Sequence, residues 1–179
     1  LTEAIYYFGL SVKKFRAMKK RKRLPGKVIS IGNLTVGGTG KTPATIAVAG
    51  EALKRGLHPV ILTRGYGGKA PGPCFVTKGD GPILSAEGAG DEPALMAERL
   101  SGVPVVKGRN RYEAGIFAFR ELNRGVKTVP EDKLIFLLDD GFQHWSLYRD
   151  KDILLIDCAN PFGNGLLLPL GRLREPVSA

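Results

Sequence analysis

The sequence predicts an α/β fold in which a parallel sheet is flanked by helices. After Gly26, short β-rich runs alternate with helical stretches along the chain. The β-rich runs are apolar throughout, as strands are when helices cover both faces of a parallel sheet. The 179 residues, of which 43% are hydrophobic, are also enough to bury one core of normal size. A disordered chain is therefore excluded.

Strands and helices are predicted in alternation from residue 28 onward. The predicted helices end next to Gly56, Gly102 and Gly125, and glycine is the residue that most often terminates a helix. The predicted elements are, in chain order, strand 28–31, helix 43–55, strand 59–62, helix 91–100, strand 103–106, helix 110–124, strand 134–138 and strand 153–156.

The stretch between Gly65 and Gly90 interrupts this alternation. Glycine and proline are so frequent there that only residues 74–77 and 83–84 have a strand-like composition. We therefore expect a mobile hairpin or a Gly/Pro-rich lid between the regular elements.

Residues 1–26 are predicted to form an amphipathic basic helix. Residues 1–27 carry nine basic side chains and one acid, whereas the other 152 residues carry a net charge of only +2. The segment is either a helix docked on the core with solvated charges, or a helix in a membrane interface near anionic headgroups. A nucleic-acid arm is a third interpretation, which the nearly neutral body disfavours. The apolar residues recur at steps of four and three and so share one helix face: Leu1, Ile5, Phe8, Val12 and Phe15.

The cysteine and histidine counts exclude two kinds of site. Cys74 and Cys158 are far apart in the sequence, and there are only two histidines. A disulfide framework and a Cys/His zinc site are therefore excluded. No uncharged apolar run reaches the roughly 18 to 20 residues that span a bilayer. Because the sequence begins at Leu1 rather than Met and stops directly after a motif-like run, we expect a segment of a longer protein.

A glycine-rich loop between the first predicted strand and the first predicted helix has the pattern of a phosphate-binding loop. Its glycines allow successive N–H groups to point at phosphate oxygens, and the helix N-terminus adds partial positive charge. Lys41 is expected to reach the outer phosphates and Thr42 to offer a hydroxyl to Mg²⁺. The fold prediction is therefore a sheet similar to that of P-loop NTPases, although Thr35 stands where the standard pattern has glycine. The predicted nucleotide-binding residues are Thr35, Val36, Gly37, Gly38, Thr39, Gly40, Lys41 and Thr42.

Two adjacent aspartates at the end of strand 134–138 predict a metal site. Phosphoryl transfer needs charge neutralisation on the phosphates, which calls for a carboxylate at a strand end near the loop. Asp139 is predicted to bind Mg²⁺ and Asp140 to polarise a water or a hydroxyl, because adjacent strand residues point to opposite faces. The alternative is two acids in a solvated turn before Gly141.

Three further features lie at the ends of predicted elements and have two interpretations each. Asp91 begins a predicted helix and is either an N-cap or a site residue. His144 is either catalytic or a turn cap. The run 64–67 (RGYG) follows the second strand, at the carboxyl edge where ligands bind in open α/β sheets.

Together these residues resemble the tetraacyldisaccharide 4'-kinase family, the lipid A 4'-kinases of Gram-negative bacteria. Five motifs occur in the family's order and cover the chain from Val28 onward. The loop is shared with many NTPases, whereas the last two motifs are more specific. The motifs are residues 36–43 (VGGTGKTP), 64–67 (RGYG), 90–93 (GDEP), 139–144 (DDGFQH) and 165–176 (GLLLPLGRLREP).

The resemblance implies transfer of the γ-phosphoryl group of ATP to the 4'-hydroxyl of a tetraacyldisaccharide 1-phosphate, at the cytoplasmic face of the inner membrane. It implies that Asp91 deprotonates or orients the sugar hydroxyl and that Asp140 and His144 are site residues. Lys41, Thr42 and Asp139 would hold the phosphates and Mg²⁺.

The implied substrate also bears on the N-terminal segment. A lipid with four acyl chains leaves the bilayer only at a cost of about 0.8 kcal/mol per exposed CH₂. We therefore expect peripheral binding to an anionic membrane surface through residues 1–23, and no nucleic-acid partner.

Members of the family continue into a second, smaller C-terminal domain, which is implied to contribute a histidine that assists the catalytic aspartate. Residues 27–179 would then be the P-loop kinase domain, which we expect to bind nucleotide but to turn over weakly or not at all by itself. The alternative function is a membrane-associated switch or partitioning ATPase. Such a protein also combines this loop with a basic amphipathic helix, but it needs no base for an acceptor hydroxyl.

Overall fold

The computed structural model describes residues 2–124 and 128–177. These residues form a single six-stranded sheet with helices packed against it. The elements are, in chain order, α1 (Thr2–Lys19), β1 (Lys27–Gly32), α2 (Lys41–Lys54), β2 (His58–Thr63), β3 (Cys74–Thr77), α3 (Ala86–Ala89), α4 (Asp91–Arg99), β4 (Val105–Lys107), α5 (Arg111–Leu122), β5 (Leu134–Asp139) and β6 (Lys151–Leu154).

The strand order is β3-β4-β2-β5-β1-β6. Every neighbouring pair is parallel except β3 and β4, which are antiparallel. The predicted parallel sheet flanked by helices is therefore confirmed, with one antiparallel strand at its edge.

The central strands β2 and β5 contribute alternate side chains to two hydrophobic cores. Val60 and Phe136 pack on one face of the sheet, in the core that includes α5. Ile61 and Leu137 pack on the other face, in the core that includes α2 and α4. Because both faces are covered, these strands carry no polar alternation.

Two strands have bounds that differ from the predicted ones. Pairing in β4 begins at Val105 rather than residue 103, because Pro104 lacks an N–H and contributes only its carbonyl, which accepts from the Ile61 N–H at 2.9 Å. β6 ends at Leu154, and Ile156 is half exposed. As an edge strand, β6 pairs only with β1, so that pairing and not its apolar run sets its bounds.

Capping sets the ends of the helices. α2 begins at Lys41, directly after Gly40, which has a left-handed backbone (φ 75°). α5 begins at Arg111 because the Asn110 side chain accepts the N–H groups of Tyr112 and Glu113 as an N-cap. α5 ends at Leu122, and Gly125, the predicted stop, lies outside the described residues.

The stretch between Gly65 and Gly90 contains a short hairpin that is joined to the sheet. The Ile83 N–H donates to the Val76 carbonyl at 2.7 Å, and Thr77 pairs with Pro82 in an isolated bridge. Residues 83–84 form no strand. Because β3 also pairs with β4, the first arm of the predicted hairpin is the edge of the sheet rather than a separate flap.

α1 is shorter than predicted, since it ends at Lys19. Residues 20–26 are not helical, and Lys22 pairs with Leu147 in an isolated bridge. Leu24 is buried against α5, so closely that a Cβ on Gly115 would collide with it. Because Leu24 is anchored there, the chain leaves the helical path before Gly26.

The two long faces of α1 have opposite roles. On one face, the Tyr6 hydroxyl donates to the Arg174 carbonyl at 2.9 Å and Glu3 accepts the Leu167 N–H at 2.9 Å. The opposite face carries the predicted apolar stripe, with Ile5, Phe8 and Phe15 exposed by 65%, 71% and 60%. The docked face thus makes polar contacts with the rest of the protein, and Ile5, Phe8 and Phe15 of the stripe point away from it, whereas Val12 is half-buried. Leu1 of that stripe lies outside the described residues.

Of the helices in residues 2–124 and 128–177, none combines the length and the apolar composition needed to cross a bilayer.

Candidate active site

The carboxyl ends of the parallel strands β1, β2 and β5 meet at one edge of the sheet and open into a cleft of about 1170 Å³. The loops that follow these strands and the N-termini of α2 and α4 form its walls. This is the edge at which ligands bind in open α/β sheets.

The loop that is predicted to bind phosphate lies between β1 and α2. β1 leads into the loop, and α2 follows it with no side chain capping its first turn. The Lys41 ammonium donates to the Gly37 carbonyl at 3.4 Å and lies 3.8 Å from Asp140. The Thr39 hydroxyl oxygen is buried and has no partner among the described residues. An uncapped helix N-terminus, a lysine and an unpaired hydroxyl together fit the oxygens of a phosphate group.

The C-terminal segment, residues 165–176, supports this loop on the side away from the cleft. The Val36 N–H donates to the Arg172 carbonyl at 2.8 Å, and the Arg172 guanidinium donates back to the Val36 carbonyl at 3.0 and 3.2 Å. A Cβ on Gly37 would collide with the same guanidinium. Residues 171–176 of the specific GRLREP motif therefore support the backbone of the loop, a role that the sequence did not indicate.

Thr35 lies behind the loop and not in the cleft. It is 8% exposed, and it pairs with Leu173 in an isolated antiparallel bridge. Of the eight predicted nucleotide-binding residues, the seven from Val36 to Thr42 line the cleft. The position at which the common pattern has glycine is here occupied by a buried residue that joins the loop to the C-terminal segment.

Asp139 and Asp140 point into different surroundings, as their adjacent positions predicted. Asp139 is 2% exposed, and its carboxylate accepts the Thr45 hydroxyl at 3.2 Å and the Thr63 hydroxyl at 3.4 Å. Asp140 is partly exposed and accepts two hydrogen bonds from Arg174 at 2.9 and 3.1 Å. The interpretation of both acids as a solvated turn is therefore wrong.

Burial dominates the electrostatics of Asp139. It raises the pKa of the carboxyl to about 6, and the negative charges of Glu92 and Asp140 act in the same direction. The hydrogen bond from Thr45 and the charge of Arg111 oppose this rise. A cation bound near Asp139 would favour its ionised form, whereas Asp140 already lies beside two cationic side chains.

Arg111 is a site residue that sequence analysis missed. It is almost fully buried at the start of α5, and its guanidinium donates to the carbonyls of Gly108 at 2.9 Å and Asp139 at 3.1 Å. Burial lowers its pKa to about 10, and the charges of Asp139 and Asp140 partly offset this effect. Arg111 therefore stays charged at neutral pH and balances the two acids. Its place after a strand end and an N-cap was the only available signal.

Arg174 was noted in the sequence only as part of a motif, and the structure gives it a contact in the cleft. Besides Asp140, its guanidinium donates to the Gln143 side-chain oxygen at 3.3 Å. The Gln143 amide in turn donates to the buried Glu175 carboxylate at 2.9 Å. These contacts join the DDGFQH and GRLREP motifs into one polar network.

Asp91 is the first residue of α4 and not its N-cap. Gly90 occupies the cap position, with φ 98° and no side chain to offer. The Asp91 side chain is exposed and lines the cleft. Its interpretation as a capping residue is therefore wrong, and the carboxylate is available to a ligand. Arg64 and Tyr66 of the RGYG run line the same cleft.

His144 lines the cleft from the loop that follows Asp140. Burial lowers its pKa to about 4, and the positive charges of Arg111, Arg149 and Lys13 add to this effect. The ring is therefore neutral at pH 7, and its Nε2 lies 3.3 Å from the Ser146 hydroxyl. Arg149 holds this loop by donating to the Phe142 carbonyl at 2.6 Å.

The basic run after α1 is partly engaged by the rest of the protein. Arg21 donates to the Trp145 carbonyl at 3.1 Å, and Arg23 stacks 3.9 Å from the Tyr148 ring. Lys22 lies 3.6 Å from Glu113. Three members of the predicted basic cluster thus also fix the segment to the body. Lys13 of α1 reaches the cleft.

In the described part of the chain, no group of three or more histidine, cysteine, aspartate and glutamate side chains is arranged to hold a metal ion. A site for Mg²⁺ would therefore have to be completed by hydroxyl, phosphate or water oxygens, as is usual for this ion.

Comparison with known proteins places these features in a family context. A family model described as tetraacyldisaccharide-1-P 4'-kinase matches residues 2–179. Two curated relatives named tetraacyldisaccharide 4'-kinase, from Pelobacter propionicus and Geobacter metallireducens, are both 49% identical, over 161 and 159 residues. The matches cover 89% and 88% of this chain but only 42% and 44% of those relatives, so the chain spans about two fifths of their length.

A solved structure is similar over nearly the whole chain. It is the crystal structure of the "apo" form of LpxK from Aquifex aeolicus in complex with ATP. The two proteins are 39% identical with a TM-score of 0.83, and the match covers 99% of this chain and 53% of that one.

Proposed function

Because the chain belongs to the tetraacyldisaccharide-1-P 4'-kinase family, we propose that it carries the nucleotide-binding part of an ATP-dependent lipid kinase. The reaction is transfer of the γ-phosphoryl group to the 4'-hydroxyl of a tetraacyldisaccharide 1-phosphate in lipid A biosynthesis. The observation that carries the proposal is that the phosphate loop and Asp91, the first residue of α4, line the same cleft.

The loop from Val36 to Thr42 and the N-terminus of α2 would bind the triphosphate. Lys41 is held near Gly37 and Asp140, so its ammonium is positioned before the ligand arrives. Bound phosphate oxygens would replace the Gly37 carbonyl as its partner. Arg111 and Arg174 keep the two aspartates next to the loop without leaving their charges unbalanced.

Thr42 and Asp139 are the residues that we propose for Mg²⁺. Thr42 lines the cleft, and Asp139 is a buried carboxylate whose hydrogen-bond partners are two neutral hydroxyls. When bound, the ion would neutralise charge on the phosphates. Asp140 is proposed instead to fix Lys41 and to order the polar groups near the γ-phosphate.

Asp91 is proposed to accept the proton of the 4'-hydroxyl. The hydroxyl oxygen then bonds to the γ-phosphorus, and the bond from that phosphorus to the β–γ bridging oxygen breaks and releases ADP. His144 is neutral at pH 7, and because its Nε2 contacts the Ser146 hydroxyl, the ring would offer its other nitrogen, Nδ1, to the acceptor sugar. The resemblance implies that a second domain completes this cleft, and this chain spans only part of its relatives.

The exposed stripe of α1 supports binding at a membrane surface. Ile5, Phe8 and Phe15 face away from the body, and Arg16 and Lys19 lie on exposed positions near them. We propose that this face lies in the headgroup region of an anionic bilayer, at the cytoplasmic face of the inner membrane. The lipid acceptor would then enter the cleft without leaving the bilayer.

The test is ATP-dependent phosphorylation of a tetraacyldisaccharide 1-phosphate by the full-length protein. We expect Asp91→Asn to lower kcat by at least about a hundredfold, because it removes the proton acceptor at constant shape. ATP affinity, measured by titration calorimetry, should stay within about twofold of wild type. Lipid phosphorylation that survives the change would contradict the role of Asp91. ATP hydrolysis without any lipid product would favour a switch or partitioning ATPase.

A further inference from the structure

Lys107, the last residue of β4, is a buried lysine close to the cleft. It is 4% exposed, and its ammonium donates to the Gly88 carbonyl at 2.6 Å. Within the described residues it forms no ion pair. Burying an ammonium whose partner is a carbonyl costs stability, so a neutral side chain would be the more favourable choice for folding alone.

Three glycines pack directly on this lysine or on one another. A Cβ on Gly65 would lie 2.6 to 2.8 Å from three carbons of the Lys107 side chain, and a Cβ on Gly68 would lie 2.5 Å from its ammonium nitrogen. A Cβ on Gly90 would collide with the Tyr66 carbonyl. The absence of side chains at Gly65, Gly68 and Gly90 is therefore what allows the backbones of these two segments to close over Lys107.

The same backbones hydrogen bond to each other. The Lys69 N–H donates to the Glu87 carbonyl at 2.9 Å, and the Ala70 N–H donates to the Gly88 carbonyl at 3.0 Å. The Gly88 carbonyl thus accepts from Ala70 and from Lys107. The ammonium therefore joins the turn before α4 to the end of β4, and the loop after β2 is joined to the same turn through Ala70.

That turn leads directly into Asp91. The Gly90 N–H donates to the Ala86 carbonyl at 2.7 Å, and no side chain caps α4. The position of the first residue of α4 therefore depends on the backbone of residues 88–90. The phosphate loop starts from the same sheet, at the end of β1.

We propose that Lys107 is a positioning residue for phosphoryl transfer, which ties the turn before α4 to the sheet and so fixes Asp91 relative to the phosphate loop. This inference rests on the proposed role of Asp91. Lys107 does not line the cleft, so its effect would pass through Asp91 and not through contact with a ligand.

The main variant is Lys107→Met, which keeps the length of the side chain and removes the charge. We expect the thermal midpoint to be unchanged or higher, because a desolvated charge is lost. We expect kcat for lipid phosphorylation to fall by about tenfold to a hundredfold, since small misplacement of a reacting group has effects of this size. The KM for ATP should stay within about twofold. The matched control is Lys69→Met, which removes an exposed lysine from the same loop and should leave kcat within about twofold.

A double-mutant cycle separates positioning from general damage. In an Asp91→Ala background, Lys107→Met should have little further effect on the residual rate, because its target is already gone. An equal loss of rate with and without Asp91 would overturn the inference. If Lys107→Met does not fold, Gly65→Ala carries the test. The three atoms nearest to its Cβ would be carbons of the Lys107 side chain, so it displaces the ammonium while keeping the charge, and it should lower kcat in the same way.

The outcomes of these experiments also distinguish a failure of this inference from a failure of the proposed function. A wild-type protein that phosphorylates the lipid, with an Asp91→Ala variant of strongly reduced rate and a fully active Lys107→Met variant, overturns the inference alone. A wild-type protein that makes no lipid product overturns the proposed function and the inference together.

Discussion

At the scale of single residues, burial assigns different properties to chemically similar groups in the cleft. Asp139 is buried between two hydroxyls and its pKa is raised to about 6, while its neighbour Asp140 is partly exposed and paired with Arg174. Arg111 is buried beside both acids and remains charged. The site therefore holds one carboxylate that would gain from a bound cation and one that is already neutralised.

His144 gives a prediction for stability against pH. Its pKa is lowered from 6.5 to about 4 in the folded protein, so the unfolded chain binds this proton first. Its contribution to stability is fully present above pH 6.5 and is lost as the pH falls towards 4. We expect His144→Gln to reduce the loss of unfolding free energy between pH 7 and pH 4.5 by on the order of 2 kcal/mol.

Urea unfolding at the two pH values measures this effect. The matched control is His58→Gln, which replaces the only other histidine, at an exposed position outside the cleft. An identical pH dependence in His144→Gln and the wild type would contradict the assignment of a neutral, buried ring.

At the scale of elements, α1 is a helix whose two faces have clearly different surroundings. A turn of 100° per residue places Tyr6 and Lys14 on the side that contacts the C-terminal segment, and Phe8 and Phe15 on the opposite side. Docking through polar contacts leaves the apolar stripe free for another apolar environment.

We expect the double change Phe8→Glu and Phe15→Glu to weaken binding to phosphatidylglycerol vesicles by at least about tenfold. Each phenylalanine contributes roughly 1.5 to 3 kcal/mol when its ring is buried, and the new carboxylates repel anionic headgroups. Vesicle co-sedimentation measures the change, with Leu53→Glu on α2 as a control for an exposed apolar residue elsewhere. Equal sedimentation of the wild type and the α1 variant would argue against the membrane face.

At the scale of the whole molecule, the C-terminal segment joins parts of the protein that are distant in the sequence. Leu173 packs with Leu34 and Leu167 in a small hydrophobic cluster, against which Tyr6 of α1 is also packed. The backbones of Thr35 and Leu173 pair at the same place. The phosphate loop, α1 and the C-terminal segment are thus mechanically coupled.

Leu173→Ala should reveal this coupling. We expect it to lower the free energy of unfolding by about 2 to 4 kcal/mol and to weaken ATP binding, because the cavity lies directly behind the loop. Urea unfolding and calorimetric titration with ATP measure the two effects. Val60→Ala removes buried volume from the core under α5 and should lower stability while leaving ATP affinity within about twofold. Unchanged ATP affinity in Leu173→Ala would show that the loop keeps its shape without this support.

The parts of the cleft that were predictable from sequence are those with a local signature. The glycine-lysine-threonine run and the two aspartates after an apolar run are recognisable because each lies within one strand-loop-helix segment. Arg111 and Lys107 carry no such signature. Their importance comes from burial against residues that are far away in the sequence, such as Asp139 and Gly88.

The sequence by itself determined the alternation of strands and helices, the parallel sheet and the place of the phosphate loop, because hydrophobic periodicity and glycine act over a few neighbouring residues. Only the tertiary structure decided that β3 closes the edge of the sheet, that α1 docks through its polar face and that Thr35 lies behind the loop. Each of these depends on which distant segment provides the hydrogen-bond partner or fills the space. That choice is made by packing of the whole chain, which no local pattern encodes.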